Sequence, residues 1–410
     1  MKSNKQKVII FLYNRLFDPL IQSNFWLYIE DYLNDSNRKF DFYLITYEDP
    51  KFPLTPEQLA LVSKWTMQGL KWKKLDWNPG IGLKAKIVDI IQGFFAVMTL
   101  RLKGHGYVVS LASVAGTFVY LYSLILRLKF FLYQFEPHSE YALDNGMWPE
   151  GGFQYKISHY LERKAAFSAT VIASGTRFME ERLKHDWKVQ ATFVKIPTVA
   201  NDKKFLFDPV LRAQKRKELG YTDEMQILFY PGKFGDLYYR EETAWMFRWL
   251  KEELPMLHFL IVTPHTDQEV ETLFEKANVP RDWYTIAHSG YETIHHFHCA
   301  ADFAVIAVPP GPSKKFISNI KVGEYLCAGL PFLITKGVSE DYLYATEQNV
   351  GVVVQDFKKD DVKAVVLEVK DFLEDNRQEL RKHCREVGLD YRGFDNLNKQ
   401  FKRAMQALCA

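Results

Sequence analysis

Apolar runs of strand length recur along the whole chain, and segments of helix length separate them. In the first half these runs cover residues 7–13, 40–46, 107–112, 130–135, 170–174 and 191–196. The second half repeats the rhythm at residues 226–232, 257–263, 284–288, 302–308, 331–335 and 351–354. Strands that alternate with helices form parallel sheets, so two such series predict two doubly wound α/β domains.

Two further segments complete the predicted organisation. The polar stretch at residues 197–221 lies between the two series and predicts a linker that becomes helical toward its end. From Asp371 onward a charged helical tail follows the last strand.

The composition is typical of a large globular protein without a nucleic-acid partner. The chain has 410 residues, of which 47% are hydrophobic and 15% aromatic, enough to bury a large core. The net charge of only +3 provides no overall attraction to nucleic acid. None of the cysteines has CxxC spacing, as expected for reduced thiols in the cytosol.

Neither the first residues nor the longest uncharged stretch indicates export or a membrane span. Residues 1–13 are charged and then strand-like, without the apolar core of a signal peptide. Residues 107–126 carry no charge, but Gly116 interrupts them and their start is strand-like. We therefore expect a buried strand followed by a core helix.

The stretch "SNIKVGEYLCAGLPFLIT" (residues 318–335) predicts a short helix that ends before a strand. Lys321 and Glu324 share a helical face, Gly329 suits the left-handed position after the last turn, and Pro331 cannot continue the helix. Free N–H groups at such a helix start bind phosphates. A carboxylate beside them would repel phosphate, but it can accept two hydrogen bonds from the diol of a ribose. A solvated Lys–Glu pair is the alternative.

The loop at residues 230–241 follows the first strand of the second series. Gly232 and Gly235 mark a turn, from which Lys233 and Arg240 could reach the predicted crevice. Two cations on such a loop can neutralise a diphosphate leaving group without a metal ion. Both residues could equally be solvated surface cations.

Two stretches of the first half carry ambiguous polar groups. Glu136, His138 and Glu140 cluster at the end of one predicted strand, which favours either a site or a hydrogen-bonded loop. Residues 64–77 mix lysines with tryptophans, which suits a membrane surface, an acceptor with anionic groups or a solvated amphipathic face.

Motifs for metal and dinucleotide binding are weak. No Asp-x-Asp triplet occurs, which removes the usual ligand pair of metal-dependent sugar-nucleotide transferases. His295, His298 and Cys299 share one helical face, yet without a fourth ligand a packed helix is the better interpretation. "GIGLKA" (residues 80–85) resembles a dinucleotide-binding loop, but no buried strand precedes it.

The order and spacing of several segments resemble those of the family-4 retaining glycosyltransferases of the GT-B fold over nearly the whole chain. These segments are residues 18–33, 160–180, 230–239, 299–306, 318–335 and 347–357. The best match is the run of Lys, two residues and Glu-Tyr-Leu, then Gly-Leu-Pro and a strand, at residues 321–335. The resemblance implies an α/β GT-B fold, in which two Rossmann-like, doubly wound parallel-sheet domains face each other across a cleft. It implies an acceptor-side domain at residues 1–200, a nucleotide-sugar domain at 201–375 and a helical tail at 376–410 that packs back toward the N-terminal domain.

The resemblance also implies roles for individual residues. Glu324 would bind the ribose hydroxyls of the donor, Lys233 would face its diphosphate, and Arg240 or Tyr239 would make the second phosphate contact. The backbone N–H groups of Ser318, Asn319 and Ile320 would meet the diphosphate. Lys321 and Gly232 complete the donor-side candidates.

One residue of the first domain matches a family position, and one residue of the second domain differs from the family pattern. His138 falls near the position that approaches the transferred sugar. Phe316 stands where the family often has a second glutamate, which leaves sugar recognition open but not nucleotide recognition.

The expected activity is transfer of a sugar, with retention, from a nucleoside-diphosphate sugar to a saccharide or lipid-linked acceptor, as in bacterial surface polysaccharide or glycan synthesis. No metal ion and no cofactor besides the donor substrate is expected. The expected location is the cytoplasm, with peripheral membrane contact left open. The alternatives are a sugar-nucleotide epimerase of the same fold and a non-catalytic nucleotide-sugar-binding subunit.

Overall fold

The structure, a computed structural model, describes residues 5–78, 83–134, 136–374 and 377–410. The chain divides into two compact units. The first comprises Met1–Pro197 together with Leu397–Ala410, and the second comprises Thr198–Asn396.

The first unit is built on a parallel sheet in the order β3-β2-β1-β4-β5-β6-β7. Its strands are β1 (Gln6–Leu12), β2 (Phe40–Glu48), β3 (Lys71–Asp76), β4 (Tyr107–Leu111), β5 (Lys129–Gln134), β6 (Val171–Ser174) and β7 (Thr192–Lys195). Its helices are α1 (Pro19–Asn24), α2 (Trp26–Asn34), α3 (Pro56–Met67), α4 (Leu83–Leu102), α5 (Ala112–Leu126), α6 (His138–Asp144), α7 (Phe153–Ser168) and α8 (Arg177–Glu181).

The second unit contains a parallel sheet in the order β10-β9-β8-β11-β12-β13. Its strands are β8 (Gln226–Pro231), β9 (Leu257–Val262), β10 (Tyr284–Ala287), β11 (Phe303–Ile306), β12 (Phe332–Thr335) and β13 (Gly351–Val354). Its helices are α9 (Pro209–Glu218), α10 (Glu241–Glu253), α11 (Asp267–Lys276), α12 (Ile294–Ala300), α13 (Ile320–Cys327), α14 (Asp341–Glu347), α15 (Lys359–Ala364), α16 (Val366–Glu374) and α17 (Arg377–Arg392).

The final helix, α18 (Phe394–Cys409), adds most of its length to the first unit. Its Phe401 stacks on Tyr28 of α2, with ring centroids 4.5 Å apart, and also contacts Phe25 and Phe131. Aromatic burial of this kind holds the end of the chain against that unit's sheet and helices.

The prediction of two doubly wound parallel α/β domains is confirmed. Every predicted apolar run is a strand within one or two residues, apart from Phe135, which lies outside the described residues. Strand β3 was not predicted. It lies at the edge of the sheet and only Leu75 of its residues is buried, so it has almost no hydrophobic pattern.

The uncharged stretch at residues 107–126 is β4 followed by α5, as expected. Ser113, Phe118 and Val119 are buried in the unit. Within the described residues no helix is long and apolar enough to cross a membrane.

A buried charge cluster fixes the start of β11 in the second unit. Asp302 accepts hydrogen bonds from Arg212 at 2.7 Å, from Arg216 at 3.3 Å and from the amide of Ile227 at 2.9 Å. Burial alone would raise the pKa of Asp302, but the surrounding arginines and the amide outweigh it and hold that pKa below its usual value.

Candidate functional site

Helix α13 forms as the sequence predicts. The side chain of Asn319 caps its start by accepting from the amide of Lys321 at 3.2 Å. Gly329 follows its end with φ of 73°, and a Cβ there would lie 2.8 Å from the carbonyl oxygen of Arg381. Only glycine suits both the conformation and the space, so the helix stops where β12 must begin.

Lys321 brings the two predicted donor-side segments together. Its ammonium lies 4.0 Å from the centre of the Tyr238 ring, in the loop that follows β8. A Cβ on Gly232 would come within 2.5 Å of the same ammonium, so the glycine leaves room for it. The second unit therefore places a cation at the start of α13 and against the glycine loop.

Glu324 lies one turn further along α13 and is half-buried. Burial raises the pKa of its carboxyl to about 7, although Lys321 and Lys204 act in the opposite direction. Among the described residues its carboxylate accepts no hydrogen bond, and no ion pair forms within 4 Å. A desolvated carboxyl without a partner is typical of a binding or catalytic site, because folding alone would not favour it.

Arg392 supports the segment at Ser318 and Asn319 through hydrogen bonds. This arginine is fully buried at the end of α17, and its Nη1 donates to the Ser318 hydroxyl at 3.0 Å and to the Asn319 carbonyl at 3.3 Å. Its other nitrogen donates to the carboxylate of Asp341. In the part of the chain that the structure describes, the amides of Ser318, Asn319 and Ile320 donate no hydrogen bond. They are left available for an anion at the helix start.

The remaining donor-side candidates differ in exposure. Lys233 and Arg240 are both exposed, and Arg240 precedes the first residue of α10. Tyr239 is buried, its hydroxyl donates to Asp356, and its ring stacks on Phe357 with centroids 4.5 Å apart. Burial and Asp356 raise the pKa of Tyr239. Of the two alternatives for a second phosphate contact, Arg240 has its charged group in solvent and Tyr239 has its hydroxyl engaged.

In the first unit, the polar residues after β5 form a cluster at the start of α6. The His138 ring lies 3.7 Å from the Glu136 carboxylate and packs edge-on against Trp148. Burial lowers the pKa of His138, but Glu136 outweighs it and the pKa is raised. Glu140 forms a two-point ion pair with Arg182. Sequence analysis indicated Glu140 but not Arg182.

Glu162 of α7 is a second residue of this cluster that the sequence did not indicate. Its carboxylate accepts from the Ser139 amide at 3.0 Å and the Ser139 hydroxyl at 2.6 Å. Burial raises the pKa of Glu162 to about 7, against those hydrogen bonds and the nearby His138. Its position in the middle of an amphipathic helix gave no local signal.

A third group lies at the end of β1 in the same unit. The Lys86 ammonium donates to the Tyr13 hydroxyl at 2.7 Å, and that hydroxyl donates to the buried Asp89. Burial lowers the pKa of Lys86, with Asp89 opposing. Strands β1 and β5 are parallel in one sheet, so the residues that follow them lie at the same edge, and the charge of Lys86 also lowers the pKa of His138.

Other candidate motifs are engaged in packing. His298 is buried among the rings of Phe205, Phe229 and Tyr325, and its Nδ1 contacts the Ile294 carbonyl at 3.0 Å. Burial lowers its pKa to about 4. Among the described residues no three His, Cys, Asp or Glu side chains are grouped to hold a metal ion. The glycines of "GIGLKA" lie outside the described residues.

The lysine- and tryptophan-rich stretch at residues 64–77 spans the end of α3 and strand β3. Trp65 is buried and packs edge-on against Trp26 at 5.1 Å. Trp72 donates to the Thr46 hydroxyl at 2.9 Å, and Lys71 pairs with Asp41 at 2.6 Å. Trp65, Trp72 and Lys71 are therefore engaged in contacts within the first unit.

Comparison with known proteins shows the fold. No family model and no curated protein matches the sequence. Among solved structures, sucrose-phosphate synthase from Thermosynechococcus elongatus is similar over 99% of both chains (14% identity, TM-score 0.70). HepE from Anabaena, in complex with UDP, is similar over 98% of this chain and 100% of its own (11% identity, TM-score 0.68). A glycosyltransferase from Rickettsia africae is similar over 99% of both chains (11% identity, TM-score 0.67).

A protein from Listeria monocytogenes that carries the name UDP-N-acetylglucosamine 2-epimerase has the same fold, over 98% of this chain and 96% of its own (14% identity, TM-score 0.63). The chain therefore has the two-domain α/β GT-B fold of glycosyltransferases, which an epimerase of this kind shares. Fold alone does not assign activity, so the site must carry the functional argument.

Proposed function

We propose that this protein is a retaining glycosyltransferase that moves a sugar from a nucleoside-diphosphate sugar to a saccharide or lipid-linked acceptor, in bacterial surface polysaccharide or glycan synthesis. The observation that carries the proposal is Glu324, a desolvated carboxyl without a partner, one turn from Lys321 and the unengaged amides at the start of α13. HepE, which shares the fold, was crystallised with UDP. The sequence resemblance to family-4 enzymes supports retention.

In this proposal the donor diphosphate lies against the amides of Ser318, Asn319 and Ile320 and against Lys321. Gly232 allows the loop after β8 to approach it, and Lys233 and Arg240 add charge from the solvent side. As the bond from the sugar to the phosphate breaks, negative charge grows on the diphosphate. Preorganised donors and cations stabilise that charge more in the transition state than in the bound donor.

Glu324 would accept hydrogen bonds from the two ribose hydroxyls. The acceptor oxygen would form the new bond to the sugar, and its proton would pass to the leaving phosphate, so no protein base is required. His138 would approach the transferred sugar, a role that rests on the family resemblance alone.

The proposal predicts that Glu324→Gln weakens donor binding and at the same time stabilises the fold. Loss of a charge-assisted acceptor lowers donor affinity by about 10- to 100-fold, equivalent to about 1.5 to 3 kcal/mol. Isothermal calorimetry with a panel of nucleotide sugars measures it. Glu368→Gln, an exposed change on α16 in the same unit, is the matched control and leaves affinity unchanged.

The stability effect has a defined sign and pH window. The pKa of Glu324 is raised by folding to about 7, so its favourable contribution is present below the unfolded pKa and is lost as the pH rises through 7. At pH near 8 we expect the free energy of unfolding of the glutamine variant to exceed that of wild type by about 1 to 3 kcal/mol, and near pH 4, below the unfolded pKa, the gain disappears. Unchanged donor affinity in Glu324→Gln contradicts the proposed role.

We also propose that the reaction needs no metal ion, since the cations that would face the diphosphate belong to the chain itself. Turnover should persist in excess EDTA. If chelation stops turnover and Mg²⁺ or Mn²⁺ restores it, the proposed metal-free stabilisation of the leaving group is wrong.

An epimerase is the second candidate, because the Listeria protein of that name shares the fold. Incubation of the donor sugar without acceptor distinguishes the two: a changed sugar nucleotide indicates an epimerase. Donor binding without turnover would instead indicate a non-catalytic binding subunit. This outcome is tested because Phe316 stands where the family often has a second glutamate.

For location we propose the cytoplasm. All four cysteines are free thiols, and Cys299, Cys327 and Cys384 are buried. Such thiols suit a reducing compartment.

A further inference from the structure

Three neighbouring helices of the first unit expose apolar side chains on their outer faces. On α7 these residues lie at helical spacing on one narrow stripe, with Phe153 70% exposed, and the set is Phe153, Ile157, Tyr160 and Phe167. On α4 the exposed apolar residues also share one face: Ile87, Val88, Ile91 and Phe95. Leu124 and Ile125 are exposed at the end of α5.

The three helices form one continuous surface. They connect β3 to β4, β4 to β5 and β5 to β6, always moving in the same direction across the sheet. Right-handed crossovers then put all three on the same side of the sheet. Helix α5 packs between α4 and α7, and the rings of Phe94 and Tyr122 join α4 to α5 at 5.9 Å.

The exposed charge on the three helices has a single sign. The only acidic residues in the three helices are Asp89 and Glu162, and both are buried, with exposures of 0% and 6%. The exposed ionised residues of the helices are Lys84, Lys156, Arg163 and Lys164. In the adjoining turns, Lys103 after α4 and Arg127 after α5 are exposed, and so is Glu150 before α7.

A surface with apolar residues at its centre, on helices whose exposed charges are all cationic, matches an anionic lipid surface. Apolar side chains enter the boundary between head groups and acyl chains, while lysine and arginine pair with anionic head groups. A second copy of this chain is a poorer occupant, because a symmetric pair of such faces would bring cations together. Since no described helix is long and apolar enough to span, the contact would be peripheral.

We propose that the outer face of α4, α5 and α7 binds the surface of a membrane that contains anionic lipids. This surface is distinct from the lysine- and tryptophan-rich stretch at residues 64–77 that the sequence indicated, where Trp65 is buried. The proposal is independent of the sugar-transfer activity.

Vesicle co-sedimentation tests it on the full-length protein. We expect binding to phosphatidylcholine vesicles that contain about 30% phosphatidylglycerol, little binding to pure phosphatidylcholine, and release on raising NaCl from about 0.1 to about 0.5 M. The triple variant Lys84→Gln, Lys156→Gln, Lys164→Gln should weaken partitioning at least tenfold, because each cation near an anionic leaflet adds about fivefold.

A second variant tests the apolar contribution, and matched controls test the location. Ile91→Ser with Phe153→Ser should weaken partitioning by about tenfold or more while thermal unfolding stays cooperative, because both side chains are already exposed. Val210→Ser and Lys217→Gln, exposed in the second unit, should bind as wild type. Equal binding to neutral and anionic vesicles, or no binding at all, overturns the proposal. So does a concentration-dependent dimer that Phe153→Ser dissociates.

Discussion

Replacing Lys321 by methionine should lower the turnover of sugar transfer by about 10²- to 10³-fold, the usual effect of removing one preorganised group that stabilises developing charge. Methionine keeps the length of the side chain but removes its charge. The ammonium of Lys321 lies 4.0 Å from the Tyr238 ring and against Gly232, so it is already positioned before donor arrives. Donor affinity should fall less than turnover, because the charge on the leaving diphosphate grows as the bond breaks.

Steady-state kinetics with matched variants decides this prediction. Lys233→Met and Arg240→Met remove exposed cations of the loop after β8, and each should reduce turnover by less than Lys321→Met. Lys217→Met, on the exposed side of α9, should change nothing. Since Lys321 lowers the pKa of Glu324, its loss should also move the acidic limb of donor binding to higher pH. Turnover of Lys321→Met within twofold of wild type would refute the assignment.

Replacing Arg392 by methionine should reduce the free energy of unfolding by about 3 to 5 kcal/mol, the expected loss when one member of a buried ion pair is removed. Arg392 and Asp341 are both fully buried and bonded to each other, so the variant leaves a carboxylate without its cation. Chemical denaturation followed by tryptophan fluorescence measures the loss.

A double variant separates folding from function. Arg392→Met with Asp341→Leu replaces the pair by apolar groups and should recover much of the stability. Arg392→Met should also weaken donor binding, and the double variant should not restore it. In both variants the Ser318 hydroxyl and the Asn319 carbonyl lack the guanidinium that holds them. Arg216→Met, which breaks the buried pair with Asp302, is the control that destabilises without altering donor affinity. Wild-type donor affinity in the double variant would show that Arg392 has no positioning role.

The local pattern was sufficient for most elements of the fold. Buried parallel strands are continuous apolar runs, so β8 and β11 are evident in the sequence, and the Gly329 and Pro331 positions mark where α13 must end. Strand β3 was not predicted, because an edge strand buries few side chains and its lysine- and tryptophan-containing sequence resembles a solvated surface.

For the candidate site, the sequence indicated individual residues but not the contacts that they make. It indicated Lys321 and Glu324, because both lie within one helical turn in a segment with clear start and stop signals. It also indicated Lys233 and Arg240, with solvated surface cations as the alternative, because nothing in a sequence tells an exposed lysine from one packed against a ring and a glycine.

Only the tertiary structure decided which groups are desolvated and what holds them. Arg392 supports Ser318 and Asn319 from more than seventy positions away in the chain, and Lys204 acts on Glu324 from another part of the same unit. The same holds for the apolar face of α4, whose sequence is apolar on nearly all sides. Strand and helix periods are set by neighbours in the chain, whereas burial, pKa and ion pairing depend on contacts between distant segments, which exist only once the chain has folded.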